Sequence, residues 1–256
     1  MPEFAASQLV LLALVLTRTS GIMLVAPVFG TNEVPPTIRG LLALAIAAMI
    51  MPIQMAAPLA QPKSLVDLGL MLAAETMIGL TLGLGVMVLF SAFQLSGQVI
   101  GQLSGMSLGD VFNPGFDDSV PLFSHFLYLV TLAVYMLIGG HRLLMGGLLD
   151  TFAAMPPGQA VLSPGGEQLF VNLLTESFEL GFRAAAPATA ALLLATIVLG
   201  LVSRSLPQLN ILALGFGLNA IVTFLVLAVS LGGACWLLQD RLEGVVEAIL
   251  ETIAPP

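Results

Sequence analysis

An all-α, polytopic membrane fold built of helical hairpins is what this sequence predicts, and three observations carry it. Apolar residues make up 58% of the 256-residue chain and charged residues 9%, against about 45–50% and about 25% in soluble domains. Apolar runs long enough to cross about 30 Å of hydrocarbon, roughly 20 residues as a helix, recur along nearly the whole length. Those runs do not alternate with a period of two, so helices and not a closed barrel must satisfy the backbone.

The runs cover approximately residues 4–29, 40–60, 65–93, 120–155, 180–202 and 209–238, giving six or so helical segments, some long enough to break in two. The first begins MPEFAASQLVLLALVLTRTSG, with Glu3 and no basic residue before Arg18. That is the wrong polarity for a cleavable leader, so this helix is expected to be kept. Pro27 closes it, Pro35-Pro36 opens the second, and Pro52 and Pro58 kink or end that one. The stretch 110–121 interrupts the middle of the chain, Pro156-Pro157-Gly158 follows the fourth run, and Pro207 divides the last two. Proline marks these limits because it lacks a helical donor and clashes with the preceding turn. Twelve methionines are read as pliable core filler.

Charge narrows the function. The net charge is −8, and the seven basic residues are scattered singly. No basic patch exists for nucleic acid, and no set of loops wins the Lys/Arg count that would fix orientation. The single Cys235 lies in an apolar run and excludes a disulfide framework. Arg18, Glu75, Glu179, Arg183 and Arg204 lie inside or beside apolar runs, where each must face protein, a wet lumen or the interface. Glu179 and Arg183 stand four apart and can pair on one helix face. A proton or ion path through Glu75, Glu179 and Arg183 is the alternative, which would make the chain a secondary transporter. Such transporters carry two related halves, and none is visible here. His125 and His141 have no partner at metal-ligand spacing, and no nucleophile or phosphate-loop motif is present. No enzyme activity, metal or cofactor is expected.

The most informative stretch is QLSGQVIGQLSGMSLGD, residues 94–110. Gly97, Gly101, Gly105 and Gly109 recur every four residues and, on a helix, line one slowly drifting stripe where another backbone can come close. Gln94, Gln98 and Gln102 run beside it, about 100° around the helix. An amide stripe next to a glycine stripe suits contact with neighbouring subunits or a polar passage, while packing of two hairpins within this chain remains the alternative. Glycine also clusters at Gly79, Gly83 and Gly85, after Glu75. The ladder runs into MSLGDVFNPGFDDSVP, whose Asn113-Pro114-Gly115 is turn chemistry and whose Asp110, Asp117 and Asp118 cannot be left in hydrocarbon. This loop heads a hairpin or re-enters toward a cavity.

In order, the chain reads Arg18, Ala26-Pro27, Val34-Pro35 and Arg39, then the Gly-Gln ladder into Asn113-Pro114-Gly115, then Gly140-His141. Thr151-Phe152, Pro156-Pro157-Gly158 and Ala186-Pro187 follow, and last LGLVSRSLPQLNILALGF with Arg204, Pro207, Gln208 and Asn210. This order resembles the FliR family of type III export gates, flagellar or virulence, across essentially the whole length. The resemblance implies a FliP-like front part, residues 1–169, fused to a FliQ-like helical hairpin, residues 170–256. It implies a structural and gating subunit of a pore that moves unfolded secreted proteins across the bacterial inner membrane at the flagellar basal body. FliP-, FliQ-, FlhB- and FlhA-like subunits are the partners it implies. It also implies a pore plug near residues 105–120, carried by Met106, Leu108, Asp110, Phe112, Asn113, Pro114 and Phe116, with the two phenylalanines as stoppers. In such a gate apolar segments need not be lipid-embedded, because hydropathy also reports burial between subunits.

Overall fold

Proline and glycine set the helix limits much as the sequence predicts. The computed structural model describes residues 2–31, 33–56, 61–105, 121–160, 166–206, 208 and 211–253. Among them the chain is all helix, with no strand: α1 (Pro2–Val25), α2 (Pro36–Gln54), α3 (Leu65–Ser104), α4 (Leu122–Leu137), α5 (Gly140–Ala154), α6 (Gly166–Ser205) and α7 (Ile211–Ile253).

α1 and α2 form a hairpin. Pro36 opens α2 within its first turn, where a missing N–H costs nothing, and Pro52 is tolerated near the other end. Ser64 caps α3 by accepting the Asp67 N–H at 3.1 Å, and the Asp67 carboxylate accepts the Lys63 N–H at 2.9 Å. α3 stops at Gly105, whose φ of 77° is the left-handed conformation of a helix-ending glycine. The expected single run 120–155 divides at Gly139, also at φ 77°, so α4 and α5 are separate helices.

Three helices are longer than their apolar runs: α3 continues along the Gly-Gln ladder to Ser104, and α6 and α7 continue as amphipathic helices. α6 starts at Gly166, because Leu169, Leu173, Ser177 and Leu180 recur on one buried face among exposed Glu167, Gln168, Asn172 and Glu176. α7 runs to Ile253 by the same logic, burying Leu242, Val245, Val246 and Ile249 while Glu243, Glu247 and Glu251 stay exposed. α6 also continues through Pro187 without ending.

Among the described residues five helices are long and apolar enough to cross a membrane, with α4 and α5 together a sixth if the broken pair is one span. The chain is thus a multi-pass membrane protein by composition and helix length. At 1.5 Å per residue the 40, 40 and 43 residues of α3, α6 and α7 reach about 60 Å, roughly twice a hydrocarbon core. Each therefore extends well past one bilayer thickness.

The chain makes two compact units: residues 1–88, 136–174 and 241–256 in one, 89–135 and 175–240 in the other. In the first, Leu14, Ile22, Leu82, Val86, Leu144, Leu148 and Ile249 form the core. Gly85 and Gly147 are the seats of the last turns of α7: a Cβ on Gly85 would run into Ile249 Cδ1, and one on Gly147 would come within 2.9 Å of Val246 Cγ1. In the second unit Phe90 packs edge-on against Tyr128 and Tyr135, at 5.8 and 5.4 Å between centroids. Ser96 donates to the Gly181 carbonyl at 2.7 Å, tying α3 to α6.

Candidate functional site

Along one face of α3 stand Glu75, Gly79 and Gly83, each one helical repeat from the next. Gly79 and Gly83 let α1 approach to backbone contact. A Cβ on Gly79 would collide with the Arg18 carbonyl, one on Gly83 would lie 3.2 Å from the Ala26 nitrogen, and one on Gly21 would lie 2.8 Å from the Thr76 carbonyl. This crossing brings the Arg18 side chain down onto Glu75.

Both side chains are 0% exposed, and Arg18 Nε donates to Glu75 Oε2 at 2.5 Å. Arg18 Nη1 donates to Thr151 Oγ1 at 3.3 Å and to the Met155 carbonyl at 3.1 Å. The guanidinium lies over the Phe152 ring, 4.2 Å from its centroid, a cation–π contact removed from water. The other carboxylate oxygen, Glu75 Oε1, accepts the Gly158 N–H at 2.8 Å. Gly158 is at φ 83°, in the turn that Gln159 N closes onto the Pro156 carbonyl at 3.1 Å. Only glycine offers an N–H there without strain. Among the described atoms of this cluster, Arg18 Nη2 is buried with no hydrogen-bond partner.

This cluster gathers Arg18, Thr151-Phe152 and Pro156-Pro157-Gly158, which the sequence order had singled out, with Glu75, which the sequence had named as a charge inside an apolar run but not paired with Arg18, and adds Met155, which it had not named. The signal for the pairing was available, since a buried arginine demands an acid and α3 carries few. With both oxygens of Glu75 engaged and its charge cancelled, the group serves as an internal counter-ion and offers nothing to a passing solute. Glu179 and Arg183 pair as expected, Nη2 to Oε1 at 2.6 Å, but with side chains 55% and 59% exposed.

A second cluster builds the α1–α2 turn. Pro27 is buried just past the end of α1 and Pro35 precedes α2. Arg39 Nη2 donates to the Thr31 and Val34 carbonyls at 2.8 and 3.2 Å, so Arg39 clamps the turn. Val28 holds φ 75° within it, an uncommon conformation for a β-branched residue.

The glycine ladder divides. A Cβ on Gly97 would strike the Phe123 carbonyl and Ser124 Cα, so this glycine is used where α3 meets the start of α4, and Ser124 Oγ donates to the Gln94 carbonyl there at 3.0 Å. Packing within the chain, the alternative left open by the spacing, thus accounts for Gly97. A Cβ on Gly101 would find only the Phe123 ring at 3.8 Å, and one on Gly105 nothing within 4 Å. Gln98 and Gln102 are exposed and Gln94 half-buried. Arg204, in the last turn of α6, and Gln208 are exposed. Met106, Leu108, Gly109, Asp110, Phe112, Asn113, Pro114 and Phe116, with Pro207 and Asn210, lie outside the described residues.

Comparison with known proteins matches residues 9–245 to the family described as bacterial export proteins, family 1. The flagellar biosynthetic protein FliR of Bacillus subtilis (strain 168) is 31% identical over 223 residues, 84% of each chain. FliR of Aquifex aeolicus (strain VF5) is 28% identical over 223 residues, 87% of this chain and 86% of the relative. FliR of Caulobacter vibrioides is 28% identical over 242 residues, 94% of this chain and 96% of the relative.

Proposed function

This chain belongs to the FliR family of bacterial export proteins, and from that premise we propose that it is a structural and gating subunit of a type III protein export gate, passing unfolded flagellar proteins across the bacterial inner membrane. The observation that carries the reading is a family match running from residue 9 to residue 245. The relatives named above are flagellar biosynthetic proteins, which favours the flagellar basal body over a virulence apparatus as the place of work. The chain does no chemistry in this reading, and energy comes from elsewhere in the apparatus.

FliP-, FliQ-, FlhB- and FlhA-like subunits are the proposed partners, with residues 1–169 acting as the FliP-like part and 170–256 as the FliQ-like hairpin. Exposed apolar surface supports the need for partners: only 17% of α2's apolar window and 22% of α6's are buried within this chain. Gln98 and Gln102, exposed on α3, and Gly101 beside them, where a Cβ would meet only the Phe123 ring at 3.8 Å, are the proposed subunit contacts. The segment near 105–120 is the proposed plug, and Phe112 and Phe116 its stoppers. The transporter alternative loses its central residue, because Glu75 is sealed against Arg18 and Gly158.

The test is co-expression with FliP- and FliQ-like proteins of the same genome, purification through a tag on this chain, and native mass spectrometry. A discrete complex with one copy of this chain and several of the others is expected. A lone monomer or homodimer, with partners well expressed, overturns the reading.

A further inference from the structure

Glu75 divides its two oxygens between Arg18 and the Gly158 turn, and this division leaves a vacancy. Arg18 Nε holds Oε2 while Oε1 is turned to the Gly158 N–H. The guanidinium edge that carries Nε and Nη2 is the fork that normally takes both oxygens of one carboxylate. Here Nη2 on that same edge is buried and unpartnered. A buried donor left unmade is costly, so the arrangement seen satisfies the turn at the expense of the arginine. A small rotation of the carboxylate reverses the choice: Oε1 leaves Gly158, Nη2 gains a partner, and no buried charge is uncovered at any stage. The Gly158 N–H, in a half-buried turn, can then turn to water.

We propose that Arg18, Glu75 and Gly158 form a two-position latch. In one position Glu75 bridges Arg18 and the turn at 156–159; in the other it pairs side-on with Arg18 alone and frees the turn. The turn can then open locally while α1, α3 and α5 keep their packing, because the ion pair persists in both positions. This is a conformational device in the fold, and it holds whatever the chain exports.

Hydrogen exchange read by mass spectrometry on the full-length chain in its purified complex tests it, comparing the peptide over 155–160 with peptides of α1 around Arg18 and α3 around Glu75. In Arg18→Lys a single ammonium keeps the charge but has no second fork position waiting for Oε1, so release of Gly158 goes uncompensated. Exchange over 155–160 is expected to slow about tenfold relative to the wild type. A fixed keystone predicts the opposite sign, since the loss of Nη1 from the Met155 carbonyl would loosen the turn; exchange unchanged or faster overturns the latch. Should Arg18→Lys not fold, Glu75→Asp supplies the reading. The shorter carboxylate cannot span both partners, and exchange is expected to rise about tenfold over 155–160 alone. A rise of equal size in the α1 and α3 peptides overturns the proposal.

Discussion

The buried ion pair sets the residue scale. Removing one member strands the other charge without water, so Arg18→Ala or Glu75→Ala is expected to cost about 3–5 kcal/mol, while Arg18→Met with Glu75→Leu together recovers most of it. Thermal unfolding of the purified chain in mild detergent checks both, and a double variant no better than the singles would show that the hydrogen bonds to Thr151, Met155 and Gly158 matter more than the charges. Glycines give a second contrast. Gly97→Val should unfold or displace the α3–α4 contact in the isolated chain, because the added atoms meet backbone at Phe123 and Ser124; Gly101→Ala has room within the chain, so any loss it causes must appear only in complex recovery. Much of this site was legible in the sequence: charges inside apolar runs had to be paired, and glycines every four residues had to meet backbone. What was hidden was which glycine met which backbone and that Arg18 pairs with Glu75, fifty-seven positions away, because spacing reports a helix face and not the neighbour that covers it.

At the scale of elements, the α1–α2 turn concentrates strain and its remedy in a few residues. Val28 sits at φ 75°, which costs an L-residue about 1–2 kcal/mol, so Val28→Gly is expected to raise stability by about 1 kcal/mol in thermal unfolding. Arg39→Met has the opposite effect, removing the donor that serves the Thr31 and Val34 carbonyls; with water able to replace part of it, about 1–3 kcal/mol is expected. Limited proteolysis should then cut within 26–35 faster than in the wild type, and an unchanged rate would show that proline and packing hold the turn unaided. Element limits were well predicted where proline acts through local sterics, as at Pro36 and Pro156, whereas the helical ladder read through Gly109 ends earlier, at the left-handed Gly105. They were missed where a helix turns amphipathic: the first turns of α6 and the last of α7 alternate Glu with Leu, Val and Ile, so a search for continuous apolarity stops short of a helix whose buried face continues. That a long run could break in two was expected, but not the place at Gly139, since one left-handed glycine does not lower hydropathy.

The whole molecule is uneven in how it covers itself. Within the apolar window of α3, 61% is buried inside this chain, against 17% of the window on α7, so α3 is a core helix and α7 is finished by something else. Val229 and Leu227 lie two residues apart on α7 but are 85% and 4% exposed, and they separate the two kinds of burial. Leu227→Lys places a charge in the chain's own core and should lower the amount of folded chain in the membrane sharply. Val229→Lys meets no atom of this chain's core, so the chain should accumulate and unfold at its usual temperature. If α7 is covered by other export-gate subunits, recovery of FliP- and FliQ-like partners with Val229→Lys should fall at least about tenfold, since an unpaired charge at a dry interface costs several kcal/mol. If lipid covers it, the long side chain can reach toward the headgroups and the complex should be recovered at nearly the normal yield. Native mass spectrometry of the tagged variant, set beside its abundance in the membrane, separates the two, and it does so at a position where hydropathy alone gives the same answer for both.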